Sequence, residues 1–301
     1  MALALVLLAG SVVVAGATVA TTHAYFTDSE SGQGSVVAAD SFENTGDGAC
    51  RDEDENGQCD PGETRIDKSD LFTYTNESAD LVIPENVGDL DSGNNNIDIT
   101  AKSITSEVDL RTKNGDVDLN AGDGGIDLGG SDVTIEGGGG GVNIDSDGDI
   151  DLAGSYISTK TKSITVTASG FLNIDNAVID GRESSEPIDL SGQRISARNA
   201  EITNKNGETI LSARNNGGGE LDATGATIES RSKNGKLSGG PITLKSSGTM
   251  RLNQTALRVK NTATVEAYLD IGSATLYTDG TIVRDDDDTL YYEPSSVKRK
   301  P

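Results

Sequence analysis

Short apolar–polar–apolar triplets recur along most of the chain and constrain its fold more than any other sequence feature. In each triplet, residues such as Ile, Val or Leu flank one polar residue, usually Asp, Asn or Thr. Each triplet predicts a short strand, because alternate residues of a strand point to opposite faces. The triplets begin at Ile97, Val108, Val117, Ile126, Val133, Val142, Ile150, Ile164, Leu172, Ile188, Ile242, Met250 and Leu257.

Turn-forming residues separate these triplets, as at Lys113–Gly115, Asp145–Gly148 and Lys205–Gly207. Neighbouring triplets begin roughly six to ten residues apart, so three of them make a coil of roughly 20–25 residues, the period of a β-solenoid. We therefore predict an all-β fold, a right-handed parallel β-helix of about eight coils over residues 91–284.

A β-sandwich or an antiparallel barrel is the competing architecture, since either also has strands at regular short spacing. The predicted strands here are very short, and their inward positions are almost uniformly aliphatic. Aromatic residues make up only 4% of the chain, which contains no Trp. A narrow aliphatic core suits this composition better than a sandwich core, which normally uses bulky aromatic side chains.

One acidic segment, residues 52–63, has the spacing of an EF-hand calcium loop, with oxygen ligands on alternate residues and a turn glycine at Gly57. The segments on either side do not read as helices, which favours a structural Ca²⁺ site in a small N-terminal cap over residues 25–90. An acidic surface turn without metal is the alternative. The predicted ligands are Asp52, Asp54, Asn56, Gln58 through its backbone carbonyl, Asp60 and Glu63.

The only two cysteines, Cys50 and Cys59, lie in or next to this segment. In an exported chain they are expected to form a disulfide, which would brace the first half of the loop.

The N-terminal residues predict export. Ala2–Ala20 carries no charge and contains many small residues, as in a signal peptide over residues 1–24 with cleavage after Ala17, Ala20 or Ala24. No Lys or Arg precedes this run, and it is also long enough for a marginal membrane span. We expect a secreted protein at the cell surface.

The chain is strongly acidic, with a net charge of −25. This balance argues against nucleic acid as a partner, because phosphate contacts need clustered Lys and Arg. It favours adaptation to a high-salt medium, as in a halophilic archaeal protein, over an ordinary acidic exoprotein, because salt screens self-repulsion.

The segment Ala24–Glu30 reads AYFTDSE directly after the apolar run. It resembles the N-terminus of the TasA/camelysin-type family of secreted fibre proteins, and the resemblance covers only about residues 10–42. It implies export and assembly into extracellular fibres. An extended segment with Tyr25, Phe26, Val36 and Val37 is the predicted assembly strand, which would pair with the sheet edge of a neighbouring copy.

We predict a structural or adhesive surface protein, a fibre or matrix subunit stabilised by Ca²⁺. Its expected partners are further copies of the chain or other cell-surface components, and glycans are a further expected partner. We expect no catalytic residues. The alternative is a β-solenoid lyase or hydrolase that acts on polysaccharides.

Sequons at Asn76 and Asn253 predict N-glycosylation, and residues 285–301 predict a solvated charged tail.

Overall fold

The computed structural model describes residues 48–214 and 218–260, and beyond these the strands up to residue 299. These residues belong to one unit, Glu43–Pro301. The predicted signal peptide, the cleavage positions and the assembly strand with Tyr25, Phe26, Val36 and Val37 lie outside the described residues.

The chain winds into stacked coils with three faces, and parallel strands form each face. The first face contains β5 (Ile97–Ser106), β7 (Val117–Asp127), β9 (Val142–Ser146), β12 (Ile164–Ala168), β15 (Ile188–Gly192), β18 (Thr209–Ala213), β21 (Ile242–Ser246), β24 (Val265–Leu269) and β28 (Val297–Arg299).

The second face continues the same sheet around a corner. Strands β5 and β7 turn this corner without a break, and their ends begin the second face. It is continued by β10 (Ile150–Asp151), β13 (Phe171–Asn173), β16 (Arg194–Ser196), β19 (Glu220–Asp222), β22 (Met250–Arg251) and β25 (Leu276–Tyr277).

The third face is a separate sheet of ten strands. All of its pairings are parallel except the last, which is antiparallel. Its strands are β4 (Leu90–Asp91), β6 (Leu110–Thr112), β8 (Val133–Ile135), β11 (Tyr156–Ser158), β14 (Val178–Gly181), β17 (Glu201–Asn204), β20 (Thr227–Ser230), β23 (Ala256–Arg258), β26 (Ile282–Arg284) and β27 (Leu290–Tyr291).

Aliphatic residues stack in register through the core. On the third face, Ile157, Ile179, Ile202 and Ile228 lie on successive coils and are fully buried. Burying one such side chain stabilises the fold by about 1.5–3 kcal/mol relative to leaving it exposed. Along each strand, polar residues alternate with the buried aliphatic residues and face outward. The triplet pattern of the sequence is therefore the alternation of core and surface.

A second stack of residues defines the corner between the second and third faces. Gly130, Gly154, Asn176, Asn199 and Gly225 all have positive φ at this corner. Each donates its backbone N–H to a carbonyl of the following coil, at 2.8–3.0 Å. Glycine and asparagine suit this conformation because other side chains are strained there.

The five-glycine run Gly137–Gly141 packs closely against the preceding corner. A Cβ atom on Gly140 would lie 1.9 Å from the carbonyl oxygen of Gly115, and one on Gly137 would lie 1.9 Å from that of Lys113. Glycine is required here because the two backbones approach each other too closely for any side chain.

A small cap covers the N-terminal end of the stack. Strand β1 (Ala49–Asp52) pairs antiparallel with β2 (Arg65–Ile66) and with β3 (Thr75–Ile83), which in turn pairs with β5. Helix α1 (Lys68–Leu71) and a 3₁₀ turn (Glu85–Val87) complete the cap. Ala49, Leu71 and Tyr74 are buried in it and join the core. The cap thus covers apolar surface that the first coil would otherwise expose.

The predicted parallel β-helix with a small N-terminal cap is confirmed, and parallel pairing throughout the coils rules out a sandwich or an antiparallel barrel. The stack has about seven coils, slightly fewer than the eight expected. The coils are longer where their corners carry additional residues, notably between β20 and β21.

A buried carboxylate links two coils on the second face. Asp222 is only 5% exposed and accepts hydrogen bonds from Arg198 Nε at 2.9 Å and from the backbone N and Oγ1 of Thr224 at 3.1 and 2.6 Å. Burial by itself would raise the pKa of Asp222, but the bonds from Thr224 and Arg198 outweigh it and hold the pKa below its usual value.

This depressed pKa predicts a stabilisation that is lost in acid. A carboxyl whose pKa is lower in the folded state stabilises the fold above its unfolded pKa of about 3.9, and less as the pH falls through the folded value. We expect Asp222→Asn to lower the free energy of unfolding by about 1–3 kcal/mol at neutral pH. The difference from wild type should shrink below about pH 4.

Urea unfolding at several pH values measures this difference. The exposed Asp145 provides the control, because Asp145→Asn removes the same charge from a solvent-facing position and should change stability by less than about 0.5 kcal/mol. An Asp222→Asn deficit that stays constant down to pH 2 would contradict the assignment.

Candidate metal centre

The acidic segment 52–63 joins two strands of the N-terminal cap. It leaves β1 at Asp52 and enters β2 at Arg65. A disulfide between Cys50 and Cys59, with a Cα–Cα distance of 5.6 Å, closes its first half, as the sequence predicted. Strands flank the loop on both sides rather than the helix pair of an EF-hand. The loop is therefore held by the disulfide and the antiparallel pairing of the cap.

Asp52 anchors the turn at the start of the loop. Its side chain is nearly buried and accepts hydrogen bonds from the backbone N–H groups of Asn56 at 3.2 Å and Gly57 at 2.6 Å. Gly57 has φ 78° at this turn, which favours glycine. The chain thereby folds back over the Asp52 carboxylate.

Glu63 connects the end of the loop to its beginning. Its Oε1 accepts from the backbone N–H of Glu53 at 3.0 Å, and its Oε2 accepts from that of Asp60 at 2.7 Å. Carboxylate oxygens of Asp52, Asp54 and Glu63 all lie within 4.8 Å of one another. The predicted ligands at the first, third and last positions of the loop thus converge.

The side chain of Asn56 lies between two further predicted ligands. Its Nδ2 donates to Asp54 Oδ2 at 3.1 Å and to Asp60 Oδ2 at 2.7 Å. A cation among these carboxylates would require the amide oxygen of Asn56 to face them instead. The amide would have to rotate by about half a turn, and the hydrogen bond that Asn56 Oδ1 accepts from the backbone N–H of Gln58 at 2.8 Å would then be lost.

The pKa values of two carboxyl groups move in opposite directions. Burial raises the pKa of Asp52, but the backbone N–H groups of Gly57 and Asn56 lower it more, so the net shift is downward. Desolvation and the neighbouring Asp52 raise the pKa of Asp54. Close like charges disfavour the doubly ionised state, and a bound divalent cation would favour it.

Two basic residues attach the loop to its surroundings. Lys102 of β5 forms ion pairs with Glu55 at 2.6 Å and with Asp80 at 3.0 Å. Arg65 Nη2 donates to the backbone carbonyls of Cys59 and Asp60, both at 3.2 Å. Lys102 therefore ties the loop directly to the first coil of the solenoid. Sequence reasoning missed this contact, because Lys102 lies 47 residues after Glu55 and outside the loop motif.

The donor set fits Ca²⁺. Carboxylate and amide oxygens are the ligands that this hard cation prefers, and six to eight of them are usual. Asp52, Asp54, Asn56, Asp60 and Glu63 supply such oxygens within one short loop. Gln58 is exposed in the same loop, and its role through the backbone carbonyl stays a prediction.

The two predicted glycosylation residues lie on different parts of the fold. Asn76 on β3 is half-buried, and its Oδ1 accepts from the backbone N and the Oγ of Ser78 at 3.2 and 2.9 Å. Asn253 is half-buried at the corner after β22, where Thr255 of the same sequon is fully buried and donates to the carbonyl of Ala223. Glycosylation of both stays a prediction.

No family model, curated protein or solved structure matches the chain in comparisons with known proteins. Among the residues that the structure describes, no helix is both long and apolar enough to cross a membrane.

The loop geometry predicts that Glu63→Gln weakens Ca²⁺ binding by at least about tenfold, because a neutral amide replaces the carboxylate expected to bind bidentately. Isothermal titration calorimetry measures the affinity, and thermal unfolding with and without Ca²⁺ measures the linked stabilisation. A ligand at a hundred times its Kd stabilises a protein by about 2.7 kcal/mol.

Glu77→Gln is the matched control, because Glu77 is exposed on β3 of the same cap and lies outside the loop. This variant should bind Ca²⁺ as wild type does. Absence of Ca²⁺ binding to wild type at millimolar concentration would contradict the site, and so would unchanged binding by Glu63→Gln.

Proposed function

We propose that the chain is an exported structural or adhesive protein of the cell surface, in which the solenoid is an extended scaffold and Ca²⁺ stabilises its N-terminal cap. The observation that carries the proposal is the position of the acidic loop. It is braced by the Cys50–Cys59 disulfide, lies on the cap that covers the first coil, and is tied to that coil by Lys102.

This position has a physical consequence for stability. In a solenoid each coil is stabilised by its neighbours, so an end without a cap frays. A cap that needs Ca²⁺ would make the end of the stack sensitive to the calcium of its medium. Extracellular modules bind Ca²⁺ with dissociation constants of about 10⁻⁴–10⁻³ M, and disulfides persist outside the cell. The acidic loop, as a Ca²⁺ site, and the Cys50–Cys59 disulfide both support an extracellular setting.

The surface of the coils supports a structural role. The outward positions carry polar and charged residues, and the inward positions are filled by buried aliphatic residues along the whole described stack. Ion pairs between coils, such as Arg251–Glu220 and Arg258–Glu229, add contacts along the stacking direction. The alternative, an enzyme that acts on polysaccharides, stays a prediction.

Self-association is the testable part of this proposal. We expect the mature chain from Tyr25, in high salt, to form filaments in negative-stain electron microscopy when Ca²⁺ is present. Deletion of residues 25–39 should abolish the filaments and leave the solenoid folded, because the described coils begin after this segment.

Circular dichroism of the shortened chain provides the control for folding. Glu63→Gln should assemble less readily than Glu77→Gln at the same Ca²⁺ concentration. Isolated short particles under every condition would refute self-assembly and leave an adhesive role.

A further inference from the structure

The regular coil is interrupted between β20 and β21 by residues 231–239, which we call the excursion. It forms a small hairpin, in which Arg231 and Leu237 make an isolated antiparallel bridge. The backbone N–H of Ser232 donates to the carbonyl of Lys236 at 2.9 Å, and that of Gly235 donates to Ser232 at 2.8 Å. The excursion is therefore an ordered projection. Insertions that project from one face of a solenoid often form its binding surface.

The excursion reaches back over earlier coils of the third face. The backbone N–H of Lys233 donates to the carbonyl of Arg182 at 3.0 Å, and Lys233 Nζ lies 2.5 Å from Glu183 Oε1. Arg182 and Glu183 follow β14, and β17 lies between β14 and β20. These contacts hold the excursion as one wall beside the outward face of the sheet.

A groove of about 570 Å³ lies beside this wall. Sites for small organic ligands typically have volumes of about 300–1,000 Å³. Residues of β8 and β11, including Tyr156 and Ser158, line it together with Lys160, Arg182 and Lys233. Tyr156 is half-exposed and is one of only two aromatic residues between Ile97 and Lys260.

The polar groups in the groove are held in fixed positions. Arg182 Nε donates to both carboxylate oxygens of Asp180 at 2.9 and 3.0 Å, and the Tyr156 hydroxyl donates to Asp180 Oδ2 at 3.2 Å. Lys160 Nζ donates to the backbone carbonyl of Glu136. A site whose polar groups are already ordered loses little entropy when it binds a ligand.

The charges that line the groove are balanced, unlike those of the whole chain. Three basic residues face three acidic ones, whereas the chain carries a net charge of −25. A balanced lining offers no net attraction to a strongly charged ligand, and its polar groups disfavour an apolar one. It presents alternating donors and acceptors beside an aromatic ring. The lining residues are Lys160, Arg182, Lys233, Glu136, Asp180 and Glu183.

We infer that this groove binds an uncharged oligosaccharide, with one sugar ring against Tyr156 and hydroxyl groups on Asp180, Arg182 and Lys233. Sugar hydroxyls both donate and accept, so they match a carboxylate beside a guanidinium, and a tyrosine ring can cover the apolar face of a sugar. This inference deepens the proposed surface role by naming a partner. It depends on neither calcium nor assembly.

The state of Asp180 does not suit the general acid of glycoside hydrolysis. Burial raises the pKa of Asp180, but the hydrogen bonds that it accepts from Arg182 lower this pKa by more. The net shift is downward, so the carboxyl stays ionised. A general acid in glycoside hydrolysis must instead hold a proton, with a raised pKa. Asp180 is thus suited to accept hydrogen bonds from a sugar.

Calorimetry with the full mature chain tests the inference. The probes are hexasaccharides of glucose in α-1,4 and β-1,4 linkage, of mannose, of galactose and of N-acetylglucosamine, with oligogalacturonate and a heparin oligosaccharide as charged comparators. We expect at least one uncharged probe to bind, and Tyr156→Ala and Lys233→Ala each to weaken its binding by about tenfold or more.

Two matched controls separate loss of the site from general effects. Phe171→Ala removes the other aromatic ring, which lies on the second face, and Lys236→Ala removes an exposed lysine of the excursion outside the groove. Both should bind the probe as wild type does, and circular dichroism should show all variants folded. The inference would be overturned by no binding to any uncharged probe, by binding to the charged comparators alone, or by binding that survives Tyr156→Ala. Filaments and calcium binding are measured separately, so these outcomes leave the proposed function untouched.

Discussion

Each coil of this solenoid buries its aliphatic side chains against the coils directly above and below it. The stack of Ile157, Ile179, Ile202 and Ile228 shows this arrangement in its simplest form. Stability then accumulates along the stack from contacts between neighbours, and the outermost coils lack one neighbour. The cap follows from this requirement, because an uncovered end would expose both apolar residues and unpaired backbone groups.

The N-terminal cap meets this requirement with apolar side chains from each of its elements. It is also held by strand pairing, one disulfide and the ion pairs of Lys102. The cap residues in the core are Ala49, Ile66, Leu71, Tyr74, Leu81, Ile83 and Val87. Its acidic loop contributes to the chain's net charge of −25 and concentrates carboxylates in one short segment. A bound divalent cation would offset this local repulsion and cross-link the two ends of the loop.

Local patterns in the sequence predicted the features that arise from neighbouring residues. The triplets around Ile164 and Ile188 indicated core and surface positions correctly, and the pairing of Cys50 with Cys59 followed from their number and context. Contacts between distant parts of the chain were missed. Lys233 and Glu183 lie 50 residues apart in the sequence. The repeat pattern of the sequence does not predict that the excursion folds back over earlier coils. The groove at Tyr156 depends on that contact.

Amide hydrogen exchange with and without Ca²⁺ tests most directly whether the loop closes the end of the solenoid. The account predicts that Ca²⁺ slows exchange in β1, β2, β3 and β5, and that Glu63→Gln removes this effect. Exchange in these strands that is the same with and without Ca²⁺ would contradict it.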